Sequence, residues 1–287
     1  MNRAVYIQLL EELKEENDSA ECLTLIEGAK NDIKNKVESS DILGSDYETI
    51  YTQTKAQLAV QRLRDQANAC LRALYPTLCP GGSFENDTIP TLFRLQLQTK
   101  STVAEMNALL KSSVETLIHN LIPDGAGEYA AALRLELLDR VADEWTSADA
   151  ENRIASPDFL WDDFTLRLAR ANAKDKLKAD FSARTGWNDG TLTDLAEEYL
   201  ADDGILAGCS SQAELDAELT RANLRADWYE QVAAYRKSIR NTMAPHDDTA
   251  LLAQLDSIFS EVNSAILAVS WSDADAETAW KAAYDRG

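Results

Sequence analysis

Apolar side chains recur at steps of three and four residues along nearly the whole chain, the spacing that gathers them on one side of a helix. The first such run spans about Ala4–Glu16, with Val5, Leu9, Leu10 and Leu13 on one face. Asp18 or Ser19 stands where a short oxygen-bearing side chain can cap a second helix, ending near Val37. Ser39–Ser45 predicts a turn punctuated by Gly44. From Asp46 to Tyr75 one long helix is predicted, with Val60, Leu63, Ala67, Cys70, Leu71 and Leu74 in its apolar row. Pro76 is expected to stop it, because proline has no amide to give and crowds the preceding turn.

Pro76–Pro90 (PTLCPGGSFENDTIP) is the longest stretch without helical spacing. Long loops inside compact proteins often carry function. It is therefore the candidate interaction loop, with Cys79, Phe84, Glu85 and Asp87 as its contact side chains. Helical spacing resumes near Thr91, with a break near Ser101. It continues through Val103, Met106, Leu110, Leu117 and Leu121 to Pro123.

The second half repeats the pattern. Glu128–Thr146 carries Leu133, Leu137, Val141 and Trp145 in one row. Pro157 is placed to open a helix holding Leu160, Phe164, Leu168, Ala171, Leu177 and Phe181, with Gly186 as its stop. Thr193 starts a short helix to about Ala201. Ser211 and Glu214 form the pattern of a capping box before a long helix reaching about Thr242. Past Pro245, a helix carries Leu251, Leu255, Ile258, Val262 and Ile266, and Ser272–Tyr284 makes the last. No segment alternates with period two between hairpin turns. The fold class is all-α: about ten helices, in one multi-helix array or two helical bundles.

Composition sharpens the division. All six tryptophans lie after Pro123-Asp124-Gly125-Ala126-Gly127. Residues 1–126 hold 12 basic and 18 acidic residues, net -6, whereas 127–287 hold 16 and 31, net -15. An N-terminal helical domain over 1–122 and an acidic, tryptophan-containing domain over 128–287 are expected. Trp145–Glu151 and Trp271–Glu277 echo one another, in residue types that match easily by chance.

The whole chain has 28 Lys and Arg against 49 Asp and Glu, net -21. That field repels phosphate backbones and anionic membrane surfaces, so no direct nucleic-acid or membrane partner is expected. The first 17 residues read as a charged amphipathic helix rather than a secretion signal, and no apolar run approaches the roughly 20 residues of a membrane span. A cytoplasmic location is expected, or a virion for a protein of phage origin. Cys22, Cys70, Cys79 and Cys209 form no CxxC pair, and read as reduced, mostly buried thiols.

Candidate chemistry is sparse. His119 and His246 are the only histidines. Glu115 and His119 share a helical face without the further Glu-x-x-His motifs of a di-iron bundle. His246-Asp247-Asp248 lacks partner histidines and reads as a helix cap. Trp161-Asp162-Asp163-Phe164 lacks a third carboxylate one turn on. Asp273, Asp275 and Glu277 are spaced like a calcium loop without its glycine or its final glutamate. No glycine-rich phosphate loop or nucleophile elbow occurs. Arg167, Arg170, Lys174, Lys176 and Lys178, and then Arg236, Lys237 and Arg240, lie late in helices that open acidic, which suits the helix dipole. A patch for an acidic neighbour is the alternative for these rows.

No catalytic residues, no cofactor and no metal are therefore expected. The leading expectation is a non-enzymatic structural protein, a helical subunit of a larger particle such as a phage or viral virion, whose partners are other proteins or copies of itself. The alternatives are an acidic inhibitor or nucleic-acid mimic that occupies a basic protein, and an enzyme working with carboxylates alone.

Overall fold

A computed structural model describes residues 3–36, 44–146, 150–184, 190–243, 249–268 and 272–286. These residues are mostly helical, and no strand occurs among them. The chain divides into two compact units: Met1–Asp124 with Arg134–Asp162, and Gly125–Leu133 with Asp163–Gly287. The division drawn from composition differs over residues 134–162, which pack with the first unit.

The first unit opens with α1 (Arg3–Glu12), which tightens into a 3-10 turn over Leu13–Glu16. Asn17 ends that turn by donating Nδ2 to the Leu13 carbonyl at 2.6 Å. Ser19, rather than Asp18, caps α2 (Ala20–Lys36): its hydroxyl accepts from Cys22 N at 3.3 Å. Then α3 (Gly44–Leu78) packs on both. Tyr6, Leu10, Cys22, Ile26, Ile33 and Leu58 form the core between these helices. Each large side chain so buried contributes roughly 1.5–3 kcal/mol.

Two expectations about α3 are corrected. Pro76 does not stop it, and the helix runs on to Leu78, where Cys79 N still donates to the Tyr75 carbonyl at 2.8 Å. A proline so near the end removes one bond while Tyr75 and Leu78 are anchored by burial. In the earlier part of α3, Thr54, Leu58 and Gln61 are buried, whereas Val60 and Leu63 are only half-buried. Thr54 and Gln61 tolerate burial because they bond within their own helix, to the Ile50 carbonyl at 2.7 Å and Asp65 at 2.9 Å.

Next come α4 (Thr88–Leu97) and α5 (Val103–Leu121). The expected break near Ser101 is a full capping box: Glu105 N donates to the Thr102 hydroxyl at 3.3 Å, and Thr102 N to Glu105 at 3.1 Å. Along α6 (Glu128–Thr146), Leu133, Leu137 and Val141 are buried as their row predicts, while Trp145 at its end is half-buried. The polar hub of this unit is Asn107, only 4% exposed. Its Nδ2 donates to the carbonyls of Ala150 and Arg153 at 2.7 and 2.9 Å, and its Oδ1 accepts from Ala155 N at 2.9 Å.

Pro157, near the end of the first unit, falls short of its expected role. It opens only a 3-10 turn, Pro157–Phe159, and α7 (Phe164–Ser182) starts afresh after extended Leu160. In the second unit the helices α8 (Gly190–Leu200), α9 (Ile205–Gly208), α10 (Gln212–Met243), α11 (Thr249–Leu267) and α12 (Asp273–Arg286) follow. Leu177, Phe181, Leu195, Tyr199, Leu215 and Val232 belong to its core. Ser211 caps α10, but Glu214 reaches back past it to Ser210 N at 2.6 Å, so the reciprocal half of the box is shifted by one residue. The expected turn at 39–45 lies mostly outside the described residues, as do Gly186, Pro245 and parts of both echoed Trp–Glu segments.

Candidate functional site

Nine residues, Cys79–Asp87, join α3 to α4, fewer than the fifteen their sequence suggested. Gly81 supplies the left-handed backbone the turn needs, at φ 81°. Asp87 then ties the turn shut: it accepts from Ser83 N at 2.7 Å and from the Tyr75 hydroxyl at 2.5 Å. The Tyr75 hydroxyl and the Ser83 amide hold the Asp87 carboxyl below its ordinary range. Burial, with the Asp87 carboxylate beside it, pushes the Tyr75 phenol up.

Phe84 lies against two guanidinium groups, Arg72 at 4.8 Å and Arg94 at 5.3 Å from its ring centre, with Tyr75 edge-on at 5.6 Å. Glu85 accepts from the same two arginines, at 2.5 and 3.2 Å. Arg94 also donates to the carbonyls of Phe84 and Glu85 at 3.0 and 2.9 Å. The structure thus brings Phe84, Glu85 and Asp87 together, with half-buried Cys79 at the start of the turn. Their bonds run inward. What the loop does is fix the first turns of α4.

That helix is apolar on both sides. Pro90, Phe93 and Leu97 are buried, while Leu92 and Leu95, one turn apart on the opposite side, are 50% and 64% exposed. A helix with leucine all round is normally covered all round. Sequence spacing placed Leu92 and Leu95 in a helix without separating them from the buried row. The surplus of leucine in TLFRLQL was the signal.

The other candidates turn to structural work. Glu115 faces Lys111 at 3.9 Å and His119 faces Asp124 at 3.9 Å, so the pair does not converge. Asp163 binds Arg167 at 2.9 Å, and Glu277 binds Lys281 at 2.5 Å. No group of three His, Cys, Asp or Glu that could hold a metal occurs among the described residues. His246, Asp247 and Asp248 lie outside them.

The basic rows do more than answer the helix dipole. Arg170 donates to the Cys209 carbonyl at 2.9 and 2.6 Å, and Lys174 to the Ala201 carbonyl at 2.9 Å, closing the ends of α9 and α8. Lys178 binds Glu128, and Lys176 binds Asp180 at 2.7 Å. Sequence reasoning also missed Arg225, which is wholly buried. It donates to both Glu198 oxygens at 3.1 and 2.8 Å and to the Tyr199 hydroxyl at 3.0 Å.

No protein-family model matches the chain, and no curated protein or solved structure matches it either. No helix among the described residues is long and apolar enough to cross a membrane.

Proposed function

We propose that this chain is a non-enzymatic structural protein, a helical subunit that packs against further copies of itself in a larger particle such as a virion. The observation that carries this reading is the outward pair Leu92 and Leu95 on a helix whose start is clamped by Phe84, Glu85 and Asp87. Covering a leucine contributes roughly 1.5–3 kcal/mol, and a stiff backbone lowers the ordering cost of doing so. The acidic-mimic alternative draws less support, because carboxylates such as Glu11 and Glu27 are interleaved with lysines rather than arrayed alone.

Light scattering over a rising concentration series tests it. The expected result is a mass above the 31.8 kDa of one chain. Leu92→Asp with Leu95→Asp should return that mass to the monomer while the helical circular dichroism stays unchanged. A monomer at every concentration, or an assembly indifferent to the double substitution, overturns the reading.

A further inference from the structure

In the second unit the C-terminal half of α10 and the facing part of α11 leave a cleft of about 580 Å³. Ligand clefts commonly span about 300–1,000 Å³ and combine an apolar floor with a few polar groups. Val232 and Phe259 are buried and supply the floor. Arg236, Lys237 and Arg240 supply a cationic wall along one turn of α10.

Among the described residues one carboxylate answers them. Asp256 accepts from Arg236 at 3.1 and 2.5 Å and lies 3.9 Å from Arg240. Lys237 has no acidic partner among the described residues. Asn263, also in the wall, has its amide oxygen buried with no hydrogen-bond donor among them. Among the described residues the cleft is therefore locally positive, in a chain of net charge -21. That surrounding field repels anions at long range, so an anion held here is held by these groups themselves.

We propose that the cleft binds an amphipathic carboxylate, with its head on Lys237 and Arg240 and its apolar body over Val232 and Phe259. The site belongs to the second unit and uses none of the α4 residues, so it does not depend on the assembly reading. A bare inorganic anion would leave the floor uncovered. An apolar or cationic molecule would leave the wall unanswered.

Calorimetric titration with sodium decanoate below its micelle concentration tests this, beside acetate and decyltrimethylammonium. Saturable binding of decanoate is expected, with both controls weaker by about tenfold or more: acetate lacks the chain that covers the apolar floor, and the ammonium lacks the charge-assisted hydrogen bonds. Lys237→Gln with Arg240→Gln should weaken decanoate by at least about tenfold at an unchanged helical spectrum and thermal midpoint. Lys237→Gln alone, which breaks no ion pair, serves as the second variant and should weaken it in the same direction. Absence of saturable heat, equal binding of the cationic amphiphile, or unaltered binding by both variants overturns the proposal.

Discussion

The carboxylate of Asp175 fills the space in which a β-carbon on Gly127 would stand. Such a carbon would lie 2.1 Å from Asp175 Cγ and 2.4 Å from Oδ1. The approach is this close because Asp175 reaches the first turn of α6, accepting from Tyr129 N and Ala130 N at 2.9 Å each. A helix start leaves four amides without partners, and here one side chain takes two. Gly127→Ala should therefore cost about 1–3 kcal/mol, through strain or loss of that cap. Asp175→Ala should cost a similar amount, and the double variant no more than the worse single, since both act on one contact. Urea denaturation of the three variants checks this. Additive losses would contradict a shared contact.

Arg225 should behave as a buried charge whose partners depend on it. Arg225→Ala leaves Glu198 and the Tyr199 hydroxyl facing a cavity, with an expected loss of about 3–5 kcal/mol. Replacing both charges, with Arg225→Met and Glu198→Leu, should restore most of that stability. Urea unfolding followed by tryptophan fluorescence, to which Trp228 one turn along α10 contributes, reports both.

Asn107 should matter out of proportion to its size. Asn107→Ala strips partners from two carbonyls and one amide, an expected loss of about 2–4 kcal/mol. Hydrogen exchange gives a local readout: the Ala155 amide should lose protection in the variant.

Acid should weaken the first unit through a ladder of four side chains. Glu27 meets Lys14 at 2.7 Å and Lys30 at 3.0 Å, and Glu11 meets the same lysines at 2.7 and 2.5 Å. Lys14 first, and then Lys30, pulls the Glu27 carboxyl from its ordinary 4.5 to about 2. Its folded value lies below its unfolded one, so its contribution is complete above 4.5 and disappears as pH falls through about 2. Thermal midpoints should drop across that window, less steeply at high salt, because these groups face water. Glu27→Gln should flatten the slope.

How much of this was legible follows from range. Helices showed in the sequence because their period is local, and so did the cap at Ser19, which needs only the next three residues. Pro76 misled because its effect depends on how firmly distant helices hold Tyr75 and Leu78. Arg170 and Lys174 looked like residues set against their own helix dipole, yet their acceptors lie 39 and 27 residues further on. The loop was located with three residues too many at each end, and its inward bonds were not legible, since only the fold brings Arg72 and Arg94 to Phe84. The two sides of α4 are both leucine-rich, so spacing alone could not separate the covered row from the bare one.

Arg64, Arg134, Arg140, Arg170 and Lys174 all turn toward backbone carbonyls, and Arg225 is enclosed entirely. Those cations are committed within the fold, and the molecule as a whole carries a net charge of -21. In the proposed assembly two such bodies approach as like charges, and leucine can touch leucine only once counter-ions shorten that repulsion to about 10 Å or less. Association should then be governed by the ionic medium, with divalent cations the most effective promoters.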